Sequence, residues 1–222
     1  MHLCRFTTLD EPEIARSGIF HDGRFYETDG ERPVGVHEIS KILLLPPVQT
    51  IASFRDFTSN QAFTYRNSAV FGGALSELDA PAGEVTPDIR IVSILRDERD
   101  QIEAEEAEGF ILGYCMCIGL KRGSETDFPF ALGPFLTVPE ATHSELLNKP
   151  ITLNVNGELA LQAPAQTPDF GRMIEAATRT NRATPSDLIA APCLEGNLPK
   201  LNPGDTVQVV HEGLGTLTVK IV

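Results

Sequence analysis

The sequence lacks any apolar run approaching the ~18 residues that a membrane-spanning helix requires, so no such helix is expected. Its first 13 residues carry no apolar segment and turn acidic early, so no secretory signal is expected there either. Cysteine is scarce. Cys4, Cys115, Cys117 and Cys193 have neither the density of a disulfide scaffold nor paired Cys-x-x-Cys zinc spacing, and the reading is a reducing cytoplasm. The five histidines fall in unrelated segments with no His-x-His or His-x-x-x-His pair, which excludes a locally encoded histidine metal site. There is no Gly-x-Ser-x-Gly nucleophile turn, no phosphate-binding P-loop and no Gly-x-Gly-x-x-Gly. Basic residues are outnumbered 18 to 31, for a net charge of −13. Such a surface repels phosphates, so nucleic acid and anionic membranes are excluded as main partners.

What is present reads as strands. A length of 222 residues suits one domain plus a small appendage, and we divide the chain into an appendage, 1–45, and a core domain, 46–222. In the appendage, residues 3–6 and 18–26 alternate as short strands around a His21-Asp22-Gly23 turn, and 36–45 is an amphipathic segment with the spacing of a short helix, ended by Pro46-Pro47. In the core, strands are predicted over 49–54, 89–95, 188–191 and 206–210, with a buried strand or strand pair over 110–120. Another is expected within 128–138, broken at Gly133-Pro134. Asn156-Gly157 between two apolar stretches signals a two-residue hairpin. Phe170, Met173, Ile174 and Ala177 form one stripe of a helix over 168–178, with Asp169 as N-cap. The charge run 96–106, including Glu103, Glu105 and Glu106, reads as a solvated turn or a helix start. The fold class is therefore mainly β with minor α, a barrel or sandwich.

The C-terminal run from His211 to Val222 (HEGLGTLTVKIV), after the turn Pro203-Gly204-Asp205, resembles the end of the fumarylacetoacetate hydrolase family. Further matches follow in family order: Ser68-Ala69-Val70-Phe71-Gly72, Gly113-Tyr114, Ala131-Leu132-Gly133-Pro134, Val155-Asn156-Gly157-Glu158 and Thr167-Pro168-Asp169-Phe170. The resemblance implies that family's β-barrel or β-sandwich roll. It also implies divalent-metal chemistry on small keto-acids, namely C–C hydrolysis, decarboxylation or isomerisation. The family's metal is held by two carboxylates two apart on one strand and a third after the Gly-Tyr strand, because hard cations want several anionic oxygens.

Those positions have changed here. The pair falls on Asp88 and Arg90, and the third ligand falls on Gly119, with Lys121 and Arg122 just beyond. The family's acid/base histidine becomes Phe57 after Arg55-Asp56, one of its lysines becomes Tyr65, and Ser124 stands for another, with Asp127 keeping an acidic position. The expectation is a metal-free, cofactor-free, degenerate member, a pseudoenzyme that binds a small carboxylate metabolite as a homodimer, with residues 128–136 as a self-complementary patch. Arg55, Arg90 and Lys121, with Asp88, are the expected ligand-binding residues if they converge; otherwise each is an ion-paired or surface residue, as Arg90 would be with Asp88. Asp56, Asp127 and Tyr65 are the remaining candidates for acid/base catalysis. Two alternatives stay open: a metal-independent enzyme with a rewired site in the same cavity, and a divalent-metal hydrolase or decarboxylase if the ligands sit at other positions. Cys193 is a conceivable reactive thiol without a local cationic partner in sequence.

Overall fold

A computed structural model describes every residue except Glu31, Val70, Ala141 and Gln166. Val70, within the Ser68 to Gly72 match, thus lies outside the described residues. The chain opens with an antiparallel meander, β1 (His2–Thr8), β2 (Arg16–His21), β3 (Arg24–Asp29) and β4 (Arg32–His37). After a 3-10 turn at Ile39–Lys41 comes β5 (Ile42–Leu45), which pairs with β1. The expected helix over 36–45 is therefore a strand end, a turn and a strand. Its apolar side chains have a distant partner in β1, and pairing there satisfies backbone groups that an isolated single turn cannot.

The core continues with β6 (Phe54–Ser59), β7 (Ala62–Arg66), β8 (Phe71–Gly72), β9 (Glu77–Leu78), β10 (Thr86–Leu95), β11 (Ile111–Lys121) and β12 (Phe130–Thr137). It ends with α1 (His143–Leu147), β13 (Ile151–Val155), β14 (Glu158–Ala163), α2 (Phe170–Thr178), β15 (Leu188–Ala190), β16 (Thr206–His211) and β17 (Gly215–Ile221). Residues 49–53 precede β6 without joining it, so the strand expected there starts only at Phe54. The break expected at Gly133-Pro134 is a register shift with a cis peptide inside a continuous β12. The Asn156-Gly157 hairpin forms as read, with Val155 opposite Glu158 and φ of 54° and 82° at the two turn residues. In α2 the side chain of Asp169 accepts a hydrogen bond from Arg172 N, and the predicted apolar stripe is buried.

The strands form two sheets. The larger runs β4-β3-β2-β1-β12-β11-β10-β15-β6-β7, with β5 beside β1 and β8 beside β12; the smaller runs β14-β13-β16-β17-β9. Ile89, Ile91 and Ile118 of the large sheet share a buried core with Leu153, Val209 and Leu217 of the small one. On its other face the large sheet buries Phe54, Val92, Cys117 and Phe130. A period of two thus sends alternate residues of β10 and β11 to two different interiors, and the second interior holds the site. The first 45 residues join through the β1–β12 pairing and bury Cys4, Phe6, Phe25 and Ile42 against Phe135. Every residue of β12 is buried within the chain, so 128–136 supplies no exposed self-complementary patch.

His211, fully buried at the end of β16, adds a pH dependence. Its Nε2 lies 3.3 Å from Leu147 O and its Nδ1 3.2 Å from Gly213 N, which suits a neutral ring that donates from Nε2 and accepts at Nδ1. Burial pushes its pKa below the ordinary histidine value. The unfolded chain therefore takes up a proton that the folded chain resists, so this contribution to stability is present above about pH 6.5 and lost as pH falls. Urea midpoints should drop between about pH 7.5 and about pH 5.5, and His211→Gln should reduce that drop. An identical pH dependence in the variant would count against the assignment.

Candidate functional site

Along β10, Asp88 and Arg90 point to the same face as Val92, and across the ladder Asp88 sits opposite Gly119 and Arg90 opposite Cys117. The three positions that the resemblance assigns to metal ligands therefore meet on one buried surface. Asp88 is fully buried and each carboxylate oxygen is held by a guanidinium. Arg66 Nη1 donates to Oδ2 at 2.9 Å and Arg90 Nε donates to Oδ1 at 2.8 Å. Arg66 enters from the end of β7, packs over the rings of Phe54 and Phe130, and also donates from Nη2 to Phe128 O at 3.3 Å. A Cβ on Gly119 would lie 2.5 Å from Arg66 Nη2, so the bare glycine is what lets the guanidinium lie flat there.

Arg90 donates from Nη1 to Phe57 O at 3.0 Å and Ala191 O at 3.1 Å. The same nitrogen also contacts Asp56 Oδ1, an ionic contact poorly aligned for a hydrogen bond because the carbonyls take both protons. Among the described residues Arg90 Nη2 has no hydrogen-bond partner. Two buried carboxylates thus face two buried guanidiniums. Burial pushes the Asp56 pKa up, with Asp88 adding to the rise and Arg90 opposing it. For Arg90, burial alone would weaken the cation, but Asp88 and Asp56 outweigh it and hold it charged.

These residues do not fit a divalent cation. A hard ion needs several anionic oxygens. Here both oxygens of Asp88 are occupied, Gly119 offers no donor, and Arg66 and Arg90 bring fixed positive charge. Among the described residues no other group of three His, Cys, Asp or Glu side chains converges as a metal site.

Beside the cluster opens a cavity of about 390 Å³, lined by Phe57, Arg90, Lys121, Cys193, Leu194 and Leu198 among others. Lys121 Nζ lies 3.6 Å from Cys193 Sγ, so this thiol does have a cationic neighbour, supplied by a distant strand. Burial and the nearby Asp88 carboxylate nevertheless push the Cys193 pKa up to about 11, which keeps it a protonated thiol at neutral pH.

The sequence candidates separate accordingly. Arg90 and Lys121 share the cavity, with Asp88 and Asp56 beneath. Arg55 does not join them. It alternates with Asp56 on β6, so it faces the opposite way, where it donates to Asp187 Oδ2 at 3.1 Å and Arg182 O at 2.9 Å. Tyr65 is 58% exposed and stacks edge-on to Phe63. Asp127 is exposed, and its Oδ1 accepts from Asn67 N at 3.0 Å, tying the segment after β7 to the loop before β12. Arg66, central to the cluster, was not singled out in sequence. The available signal was its place next to Tyr65 on a strand: if 65 faces out, 66 faces in.

The paired sheets, with these positions on one face, define a fumarylacetoacetate hydrolase-like fold. The same architecture is found in solved structures over the full length of the chain. Maleylpyruvate hydrolase from Sphingobium sp. SYK-6, in complex with manganese(II) and pyruvate, has a TM-score of 0.84 at 18% identity, covering 100% of this chain and 99% of that one. The 5-carboxymethyl-2-hydroxymuconate delta-isomerase from Mycobacterium smegmatis has a TM-score of 0.80 at 22% identity, with coverage of 100% and 99%. The 2-hydroxyhepta-2,4-diene-1,7-dioate isomerase from Mycobacterium marinum has a TM-score of 0.78 at 19% identity, with coverage of 100% and 98%. No protein-family profile matches the sequence, and no curated protein matches it.

Proposed function

We propose that this chain is a metal-free version of the keto-acid enzyme fold that binds a small carboxylate in the cavity over Arg90 and Lys121. One observation carries the reading. The guanidinium of Arg66 takes the space beside Gly119 and one oxygen of Asp88, so fixed cations stand where the resemblance puts a divalent ion. The buried cluster balances its own charge, which leaves Arg90 Nη2 and Lys121 Nζ to meet an anion. Arg90 is held rigidly by its carboxylates and two carbonyls, so little ordering is needed on binding. A 2-oxo-acid is the favoured ligand class, since the solved maleylpyruvate hydrolase of this fold holds pyruvate. We extend the proposal to a homodimer built on surfaces other than β12 and, from the free cysteines, to a reducing compartment. Among the described residues no helix is long and apolar enough to cross a membrane.

Asp56 favours one further reading, a metal-independent enzyme. A buried carboxyl with a raised pKa beside Arg90 is suited to proton transfer.

Titration calorimetry with pyruvate and oxalate tests the proposal. Saturable binding without added metal is expected, weakened about tenfold or more by Lys121→Met, the loss of one charge-assisted contact. No saturable binding, or pyruvate binding that requires Mn²⁺, would overturn it. Metal-independent turnover of an oxo-acid that disappears in Asp56→Asn would favour the enzyme reading.

A further inference from the structure

We infer that Lys121 forms a reversible imine with the carbonyl carbon of a 2-oxo-acid held in this cavity; the inference rests on the carboxylate-binding reading above. The observations concern how the amine is placed. Of the five lysines, Lys149, Lys200 and Lys220 are paired with Glu212, Glu84 and Glu77 at the surface, and Lys41 is exposed. Lys121 is the one that lines the cavity of about 390 Å³. It has no carboxylate within salt-bridge distance among the described residues, and its contact is a thiol, Cys193 Sγ at 3.6 Å. The nearby carboxylates Asp88 and Asp56 are engaged by Arg66 and Arg90. The amine therefore has no resident anion to immobilise it.

A 2-oxo-acid places its electrophilic carbon one bond from its carboxylate. With the carboxylate on Arg90 Nη2, the carbonyl carbon has room to face Lys121, which lines the same cavity together with Thr58, Cys193 and Glu195. Phe57, Leu194 and Leu198 supply apolar stretches of its wall, and Thr58 and Glu195 the other polar ones. The step balances without an oxidant or reductant. The ammonium releases a proton, its nitrogen attacks the carbonyl carbon, and the N–C bond forms as the C=O π bond opens. The resulting carbinolamine takes a proton on oxygen, its C–O bond breaks, and one water leaves the imine. The proton released by the ammonium passes to solvent and the departing hydroxyl takes one from solvent, while the Cys193 thiol, 3.6 Å from Nζ, donates to Leu194 O at 3.5 Å.

The test is trapping of the full chain with pyruvate and cyanoborohydride, read by intact mass and peptide mapping, alongside calorimetric pyruvate binding. One reduced pyruvate adduct on Lys121 is expected, lost at least tenfold in Lys121→Arg and retained in Lys41→Arg. Lys121→Arg keeps a cation in the cavity, so its pyruvate affinity should fall by less than tenfold. Pyruvate binding in the wild type with no adduct, or an adduct on another lysine, would overturn the imine and leave the carboxylate site standing. An absence of pyruvate binding would overturn both. An unfolded Lys121→Arg would leave the decision to the wild-type peptide map, which identifies the modified lysine directly.

Discussion

Arg66→Ala is expected to lower the free energy of unfolding by about 3–5 kcal/mol, the usual loss when one partner of a buried ion pair is removed. The side chain of Arg66 is 1% exposed and that of Asp88 is 0% exposed. Truncation leaves an Asp88 oxygen without its donor in a site that water does not reach, and it empties the space over Phe54 and Phe130. Gly119→Ala attacks the same contact from the other side. Its Cβ would stand 2.5 Å from Arg66 Nη2, so the guanidinium must move, at about 1–3 kcal/mol. The two substitutions should not add. Once Arg66 is truncated the alanine Cβ has room, so the double variant should be more stable than the sum predicts by at least about 0.5 kcal/mol. Urea unfolding of the wild type and the three variants provides the cycle. Additive losses, or an Arg66→Ala loss below about 1 kcal/mol, would mean that Arg66 does not hold Asp88 in solution.

Sequence reasoning reached this cluster from one side only. Asp88, Arg90 and Gly119 could be read because each falls where the resemblance implies a carboxylate ligand, kept only at Asp88, and β10–β11 register puts them on one face. The hairpin at Asn156-Gly157 and the capped helix α2 were legible because their signals are local: two residues with positive φ in one case, one side chain bonded to a backbone N–H three residues on in the other. Arg66 was not legible because its meaning is non-local. It depends on the missing side chain of Gly119, far along the chain, and on which face of β7 is turned inward. Arg55 shows the converse. Its neighbour Asp56 belongs to the cluster, but a period of two sends the adjacent residue to Asp187 instead. The segment 36–45 failed for a related reason, since apolar spacing over ten residues cannot reveal that β1 waits to pair with it. Residues 128–136 carried an apolar signal that was correct for burial; their partners are β1 and β11 of the same chain.

If the guanidiniums stand in for a cation, exchanging them for carboxylates should create a metal site on this backbone. Arg66→Ala removes the tethered charge, Gly119→Asp fills the vacated space opposite Asp88, and Arg90→Glu places a second carboxylate two residues along the same strand face. With Asp56 still beside them, the triple variant would gather four carboxylates without either guanidinium, so the metal-free protein should be markedly less stable than wild type through like-charge repulsion and desolvation. Mn²⁺ reverses both effects, because it supplies the missing charge and accepts the oxygens as ligands. At ~100 times its dissociation constant, the ion should restore about 2.7 kcal/mol, visible as a metal-dependent rise in the urea midpoint that chelation abolishes. The wild type should show no such rise, since a cation approaching Asp88 must displace two guanidiniums that cannot leave the protein. A wild type stabilised by Mn²⁺ as strongly as the triple variant would overturn the substitution of guanidinium for metal. A folded triple variant indifferent to Mn²⁺ would show that the backbone no longer brings these positions to ligand distance. Because the wild-type and variant titrations fail in different ways, together they separate the lost ligands from the lost geometry.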